Sequence, residues 1–165
     1  MASVNIALRD FRPGDFETLW RIDQECFAAG IAYSRFELGS YMRRGSSFTR
    51  LAEDVATGET VGFIVGEVAR GAFGHIVTID VLPRARRARV GSKLLTAAED
   101  SLRLAGCRGV RLETAVDNRA ALAFYKRHGY FLVNTVPRYY ANGVDALVLE
   151  KSLASDQKQT AESAR

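Results

Sequence analysis

Between Gly74 and Val116 the chain runs through a strongly β-branched stretch (74–81), an arginine-rich turn, an amphipathic segment (91–105) and a second apolar stretch (110–116). Strand, helix and strand at this spacing favour a right-handed crossover that leaves the two strands parallel in one sheet. Leu94, Leu95, Ala98, Leu102 and Ala105 share one helical face, and Gly106 supplies the stop. This unit fixes the class of fold before anything else is read.

The first half of the chain adds hairpin-like strands, so the sheet is expected to be mixed. Residues 5–9 form a first strand. Pro13 opens a helix to Phe27, with Phe16, Leu19, Trp20, Ile22 and Phe27 near helical spacing. Ser34-Arg35-Phe36-Glu37 has the form of a capping box and starts a second helix toward Arg44. Residues 48–53 and 61–68 read as strands around a Thr57-Gly58 turn. Asn118 caps a helix that runs to His128 and stops at Gly129, and strands at 130–136 and 146–149 close the chain. The expectation is an α/β (α+β mixed) domain, with a central twisted sheet of about six to seven strands flanked by about four helices.

With 165 residues the chain is one domain. We place it at 1–151, with 152–165 a polar, disordered tail. Two cysteines cannot build a disulfide framework, and no Cys/His cluster suggests a metal. No apolar run approaches the roughly 20 residues that span a bilayer. The start, Met1-Ala-Ser-Val-Asn-Ile6, lacks the regions of a signal peptide. A cytoplasmic protein without membrane contact is expected.

The net charge of +4 is mild, but its placement is uneven. Arg84, Arg86, Arg87 and Arg89 crowd into six residues without an acid, directly before the helix at Gly91. A helix start carries unpaired N–H groups and the positive end of a dipole, and neighbouring arginines add charge-assisted bonds to phosphate. A solvated basic loop is the plainer reading. The position between an apolar strand and an amphipathic helix favours phosphate binding. A nucleic-acid surface is disfavoured, since the cluster is short and lacks interleaved aromatics.

Two blocks of sequence carry a resemblance. Arg86-Arg-Ala-Arg-Val-Gly91 is similar to the R/Q-x-x-G-x-G/A pyrophosphate loop of the GNAT superfamily of acyl-CoA-dependent N-acetyltransferases. The run from Leu112 to Tyr130 resembles that family's L-E-V-x-x-x-N-x-x-A-x-x-L-Y-x-x-x-G-F block. Within the superfamily the likeness is to protein N-terminal acetyltransferases, the bacterial ribosomal-protein-alanine type and its archaeal relatives. Gly74-His-Ile-Val-Thr-Ile79, Arg138-Tyr-Tyr140 and Asp145-Ala-Leu147 point there. One position departs from the pattern: Arg89 stands where the loop has its first glycine.

The resemblance implies a GNAT fold, acetyl-CoA as acyl donor and a protein or peptide N-terminus as acceptor, a ribosomal protein among the candidates. It also implies that the backbone of Ile79, Asp80 and Val81 holds the pantetheine arm. The N–H groups of Arg86, Arg87, Ala88, Arg89, Val90, Gly91 and Ser92 would hold the pyrophosphate. Asn118 would touch the arm near the thioester. Glu113 takes the place of the general base and Tyr125 that of the acid.

The residues support these roles on their own terms, each beside a plainer alternative. Glu113 is a carboxylate in a run otherwise fit for a buried strand, which costs free energy unless it is paired or functional. Pairing with Arg111 is the structural alternative. Tyr125 is core filler or a proton donor. His75 is structural or a second-rank base. His128 sits near a helix end as a favourable charge. Tyr139 and Tyr140 are ordinary strand-edge packing or suit a peptide end, with Phe27 and Tyr33 on the opposite wall. An α-amino group, with a pKa about 8, is about one-tenth neutral at pH 7, whereas a lysine near 10.4 is almost wholly charged. An N-terminal substrate therefore needs only a modest base. The alternatives are a transferase of small amines or amino acids and a non-catalytic acyl-CoA sensor, the latter suggested by Arg89.

Overall fold

A computed structural model describes residues 4–154. In chain order the elements are β1 (Ile6–Asp10), α1 (Phe16–Cys26), α2 (Arg35–Met42), β2 (Ser47–Asp54), β3 (Thr60–Val68), β4 (Phe73–Val81), α3 (Val90–Leu104), β5 (Gly109–Ala115), α4 (Arg119–Arg127), β6 (Phe131–Val136) and β7 (Ala146–Ser152). The seven strands form one sheet in the order β1-β2-β3-β4-β5-β7-β6. This is the expected mixed sheet, with one parallel pair, β4 with β5, among antiparallel neighbours.

Local sequence explains most boundaries. Ser34 caps α2, its hydroxyl accepting from the Glu37 N–H at 3.1 Å. Asn118 caps α4 in the same way through Ala121 at 3.1 Å. Gly106 and Gly129, with φ of 86° and 87°, take the left-handed conformation just past α3 and α4.

The two faces of the sheet bury separate apolar clusters. Leu94, Leu95, Ala98 and Leu102 of α3 pack with Ile64, Ile76, Val110 and Leu112 on one face. Leu19, Ile22 and Leu38 of α1 and α2 pack with Leu51, Phe63, Val65 and Val77 on the other. Tyr125 of α4 joins the first cluster.

The parallel junction is short. Only Phe73, Gly74 and His75 pair with Gly109, Val110 and Arg111. Beyond His75 the strands separate, while β5 continues against β7 as far as Ala115 with Ala146. On its other side β4 carries a bulge: Val65 faces Thr78 but Gly66 faces Ile76, so Val77 is the extra residue. Bulge and splay together open a V in the sheet.

β7 runs on to Ser152, and Leu153 is buried with its N–H donated to the Arg108 carbonyl at 2.8 Å. The rest of the expected tail, 155–165, lies outside the described residues. Among the described residues no helix is long and apolar enough to cross a membrane.

Candidate active site

The V between β4 and β5 is the floor of a cleft of about 930 Å³. Four parts of the chain wall it: the α1–α2 segment with Phe27 and Tyr33, the free edge of β4, the start of α3, and β5 with α4. Tyr139 and Tyr140 of the β6–β7 loop close the mouth.

Glu113 projects from β5 just past the last parallel rung. Its Oε2 lies 2.7 Å from His75 Nε2. The other imidazole nitrogen, Nδ1, is 3.3 Å from Glu67 Oε1. Arg44 donates to both oxygens of Glu67 at 3.1 Å. Burial alone would lower the His75 pKa, but the hydrogen bonds and charges of Glu113 and Glu67 outweigh it and raise the value above the usual 6.5. The expected alternative for Glu113, a pair with Arg111, is not formed, because Arg111 turns to Glu150 at 2.8 Å.

Tyr125 is buried, edge-on to Phe124 at 5.3 Å and to Tyr130 at 5.7 Å. Burial pushes its pKa well up, so the hydroxyl keeps its proton. It lines the same cleft as Glu113.

The basic turn is a 3₁₀ segment, Pro83–Ala88, ending at Arg89. Arg89 has φ 58° and ψ 25°. It adopts the left-handed conformation that glycine accommodates most easily, and bears the strain of its Cβ. The first N–H groups of α3, at Val90, Gly91 and Ser92, have no partner within the helix. Gly91 lets the Phe124 ring pack close to the helix start: an added Cβ would lie 3.2 Å from that ring. Unpaired N–H groups and nearby guanidinium groups fit a diphosphate.

Arg86 lines the cleft, and its Nε donates to the Val81 carbonyl at 3.0 Å, which braces the turn. The same carbonyl accepts the Cys26 thiol at 3.4 Å. Ile79 lines the cleft through the unpaired edge of β4. The Ser92 hydroxyl bonds His128 Nε2 at 2.9 Å, and His128 Nδ1 bonds the Phe124 carbonyl at 2.8 Å. His128 therefore ties the end of α4 to the start of α3. The side chain of Arg87 lies outside the described residues.

The outer walls are held by backbone. Tyr33 donates its hydroxyl to the bulged Val77 carbonyl at 3.3 Å, and its N–H to Asp23 Oδ2 at 2.7 Å. The Ala141 N–H donates to the Gly30 carbonyl at 3.1 Å, joining the tyrosine loop to the α1–α2 segment. Tyr139 and Tyr140 stack edge to face at 4.9 Å. Burial, followed by the Glu113 charge, raises the Tyr139 pKa to about 12.

Asp80 was expected to contribute backbone only. Its side chain is buried, accepts from the Thr78 hydroxyl at 2.5 Å, and faces the buried Asp23. Burial raises both pKa values, and the Asp23 charge adds to the rise at Asp80. Sequence reasoning missed Glu67, Arg44 and Asp23. The signal for Glu67 was present, since it is a carboxylate in the apolar run Val61-Gly-Phe-Ile-Val-Gly-Glu-Val68, as Glu113 is in its own.

Residues 12–130 match the Acetyltransferase (GNAT) family. An N-acetyltransferase of Methanocaldococcus jannaschii is 31% identical over 87% of this chain and 90% of its own length. N-alpha-acetyltransferase 30 of Schizosaccharomyces pombe is 30% identical over 69% of this chain and 77% of its own. The crystal structure of Ard1 from Thermoplasma volcanium superposes with a TM-score of 0.81 at 29% identity, covering 90% of this chain and 98% of that one.

Proposed function

The chain belongs to the GNAT acetyltransferase family, and from that premise we propose that it acetylates the N-terminal α-amino group of a protein or peptide. The observation that carries the proposal is the placement of Glu113. It stands in the splay of β4 and β5, 2.7 Å from His75, in the cleft that also holds the start of α3 and the tyrosine loop.

The N–H groups of Val90, Gly91 and Ser92 hold the diphosphate of acetyl-CoA, and Arg89 borders them. The β4 edge at Ile79 and Asn118 at the start of α4 line the path of the arm. When bound, acetyl-CoA supplies an acetyl thioester as electrophile and a thiol as leaving group. Tyr33 and Phe27 on one side and Tyr139 and Tyr140 on the other admit an extended chain end-on.

Glu113 takes the proton that the α-amine loses on attack, directly or through one water. His75 Nε2 lies within reach to receive it in turn. The buried Tyr125 hydroxyl is the proton donor for the departing sulfur. Attack in a ternary complex needs no covalent enzyme intermediate. We place the reaction in the cytoplasm, a reading supported by the two free thiols, Cys26 and Cys107.

A conjugate that joins coenzyme A through an acetyl linker to a peptide α-nitrogen tests this reading. It is expected to bind at least 100-fold more tightly than the free peptide. A conjugate made through a lysine side chain that binds equally well contradicts it.

A further inference from the structure

We infer that Glu67 is a positioning residue for the reaction: clamped by Arg44, it holds His75 toward Glu113 and sets the pH at which the Glu113–His75 pair accepts the amine's proton. This rests on the reading of Glu113 as the base.

Glu67 lies on β3, one strand away from β4 and two from β5, and is only 8% exposed. A buried carboxylate needs partners. It has two: His75 Nδ1 at 3.3 Å and Arg44 Nη1 at 3.1 Å to each oxygen. The His75 ring is thus held between two carboxylates, one at each nitrogen. A neutral imidazole carries a single N–H, so it donates to one carboxylate and turns a lone pair toward the other. The fully satisfied state is the imidazolium, donating to Glu67 and to Glu113 together.

The proton count follows. With the pair deprotonated, His75 keeps Nδ1–H on Glu67 and offers the Nε2 lone pair toward Glu113. The amine N–H bond breaks, the proton reaches Glu113, and it passes to Nε2 to give the imidazolium. No electrons leave the system, and the proton is later lost to water. Glu67 therefore does two jobs. It fixes the tautomer by holding Nδ1–H, and its charge raises the affinity of Nε2 for the incoming proton. The groups facing this ring are Glu67 from β3, Glu113 from β5 and, behind Glu67, Arg44 from the turn after α2. Arg111 of β5 is committed to Glu150 at 2.8 Å. Tyr139 of the β6–β7 loop stands near Glu113 and is neutral below its raised pKa.

Charge neighbours make the test directional. Glu67→Gln removes a negative neighbour and should lower the His75 pKa. Arg44→Ala removes a positive one and should raise it, and the Arg44 side chain itself is half exposed. The chain has two histidines, so an NMR titration of the imidazole carbons resolves His75 against His128. The expected result for Glu67→Gln is a fall of about one pH unit or more in the His75 titration. The acid limb of kcat/KM for peptide acetylation should move by the same amount with KM little changed. For Arg44→Ala both should move upward. A His75 titration unmoved by Glu67→Gln overturns the inference. So does a titration that moves while the acid limb stays where it was. If Glu113→Gln keeps the wild-type acid limb, the assignment of Glu113 has failed instead, and the effect of Glu67 on the His75 titration still decides this inference.

Discussion

The buried carboxyl groups of Asp80 and Asp23 act on one another, and Asp80 Oδ2 and Asp23 Oδ1 have no hydrogen-bond partner. One proton shared between the two carboxyl groups would satisfy both. The pair joins α1 to β4, and through the Tyr33 N–H on Asp23 it also fixes the wall of the cleft.

Both folded pKa values are raised, first by burial, so the folded chain holds the shared proton more tightly than the unfolded chain. Stabilisation from this source is complete below the unfolded value near 3.9 and is lost as pH rises through the folded value. His75 contributes in the same direction above 6.5. Asp80→Asn keeps a donor for Asp23 without a titrating proton. Chemical denaturation from pH 4 to 8 should show a flatter loss of stability in the variant. Its stability at pH 8 should lie within about 1 kcal/mol of wild type or above it. A slope equal to wild type contradicts the shared proton.

Arg89 pays for its left-handed backbone with a Cβ that glycine lacks. Arg89→Gly should raise unfolding stability by about 0.5–1 kcal/mol, the strain relieved less the extra freedom of the unfolded chain. Thermal unfolding without ligand measures this. A destabilised variant would show that the side chain holds the turn.

Tyr125→Phe removes the proposed proton donor and little packing. Turnover should fall about 100-fold with the dissociation constant of coenzyme A unchanged. Loss of coenzyme A affinity with normal turnover of the bound complex would make Tyr125 structural only.

Gly91→Val places a branched side chain against the Phe124 ring, where a bare Cβ already comes within 3.2 Å. Calorimetry should show coenzyme A affinity falling by a factor of about 100 or more, with the fold retained by circular dichroism. Unchanged affinity would move the diphosphate away from the start of α3.

The fold was legible because local signals agreed with each other. The β-branched stretch at 74–81, the helical face from Leu94 to Leu102, and the stops at Gly106 and Gly129 each point to one element. The caps at Ser34 and Asn118 needed only their residue type. Glu113 stood out because a carboxylate interrupts an apolar strand. Its partner was not legible, since Arg111 is the near neighbour in sequence while His75 becomes the neighbour only through the parallel rung. Glu67 and Asp23 stayed hidden for a similar reason. Each acid is explained by a residue on another element, His75 for one and Asp80 for the other. The role of Arg86 depended on how the turn closes, and only coordinates show its Nε on the Val81 carbonyl.

The central claim is that the cleft between β4 and β5 delivers an acetyl group to an α-nitrogen with Glu113 as base. The direct measurement is mass-spectrometric mapping of the acetyl group on a peptide carrying both a free N-terminus and an internal lysine, after incubation with acetyl-CoA. The account predicts acetylation on the α-nitrogen, reduced by a factor of about 100 or more in Glu113→Gln. Acetylation confined to the lysine side chain, or equal in the two enzymes, would contradict it.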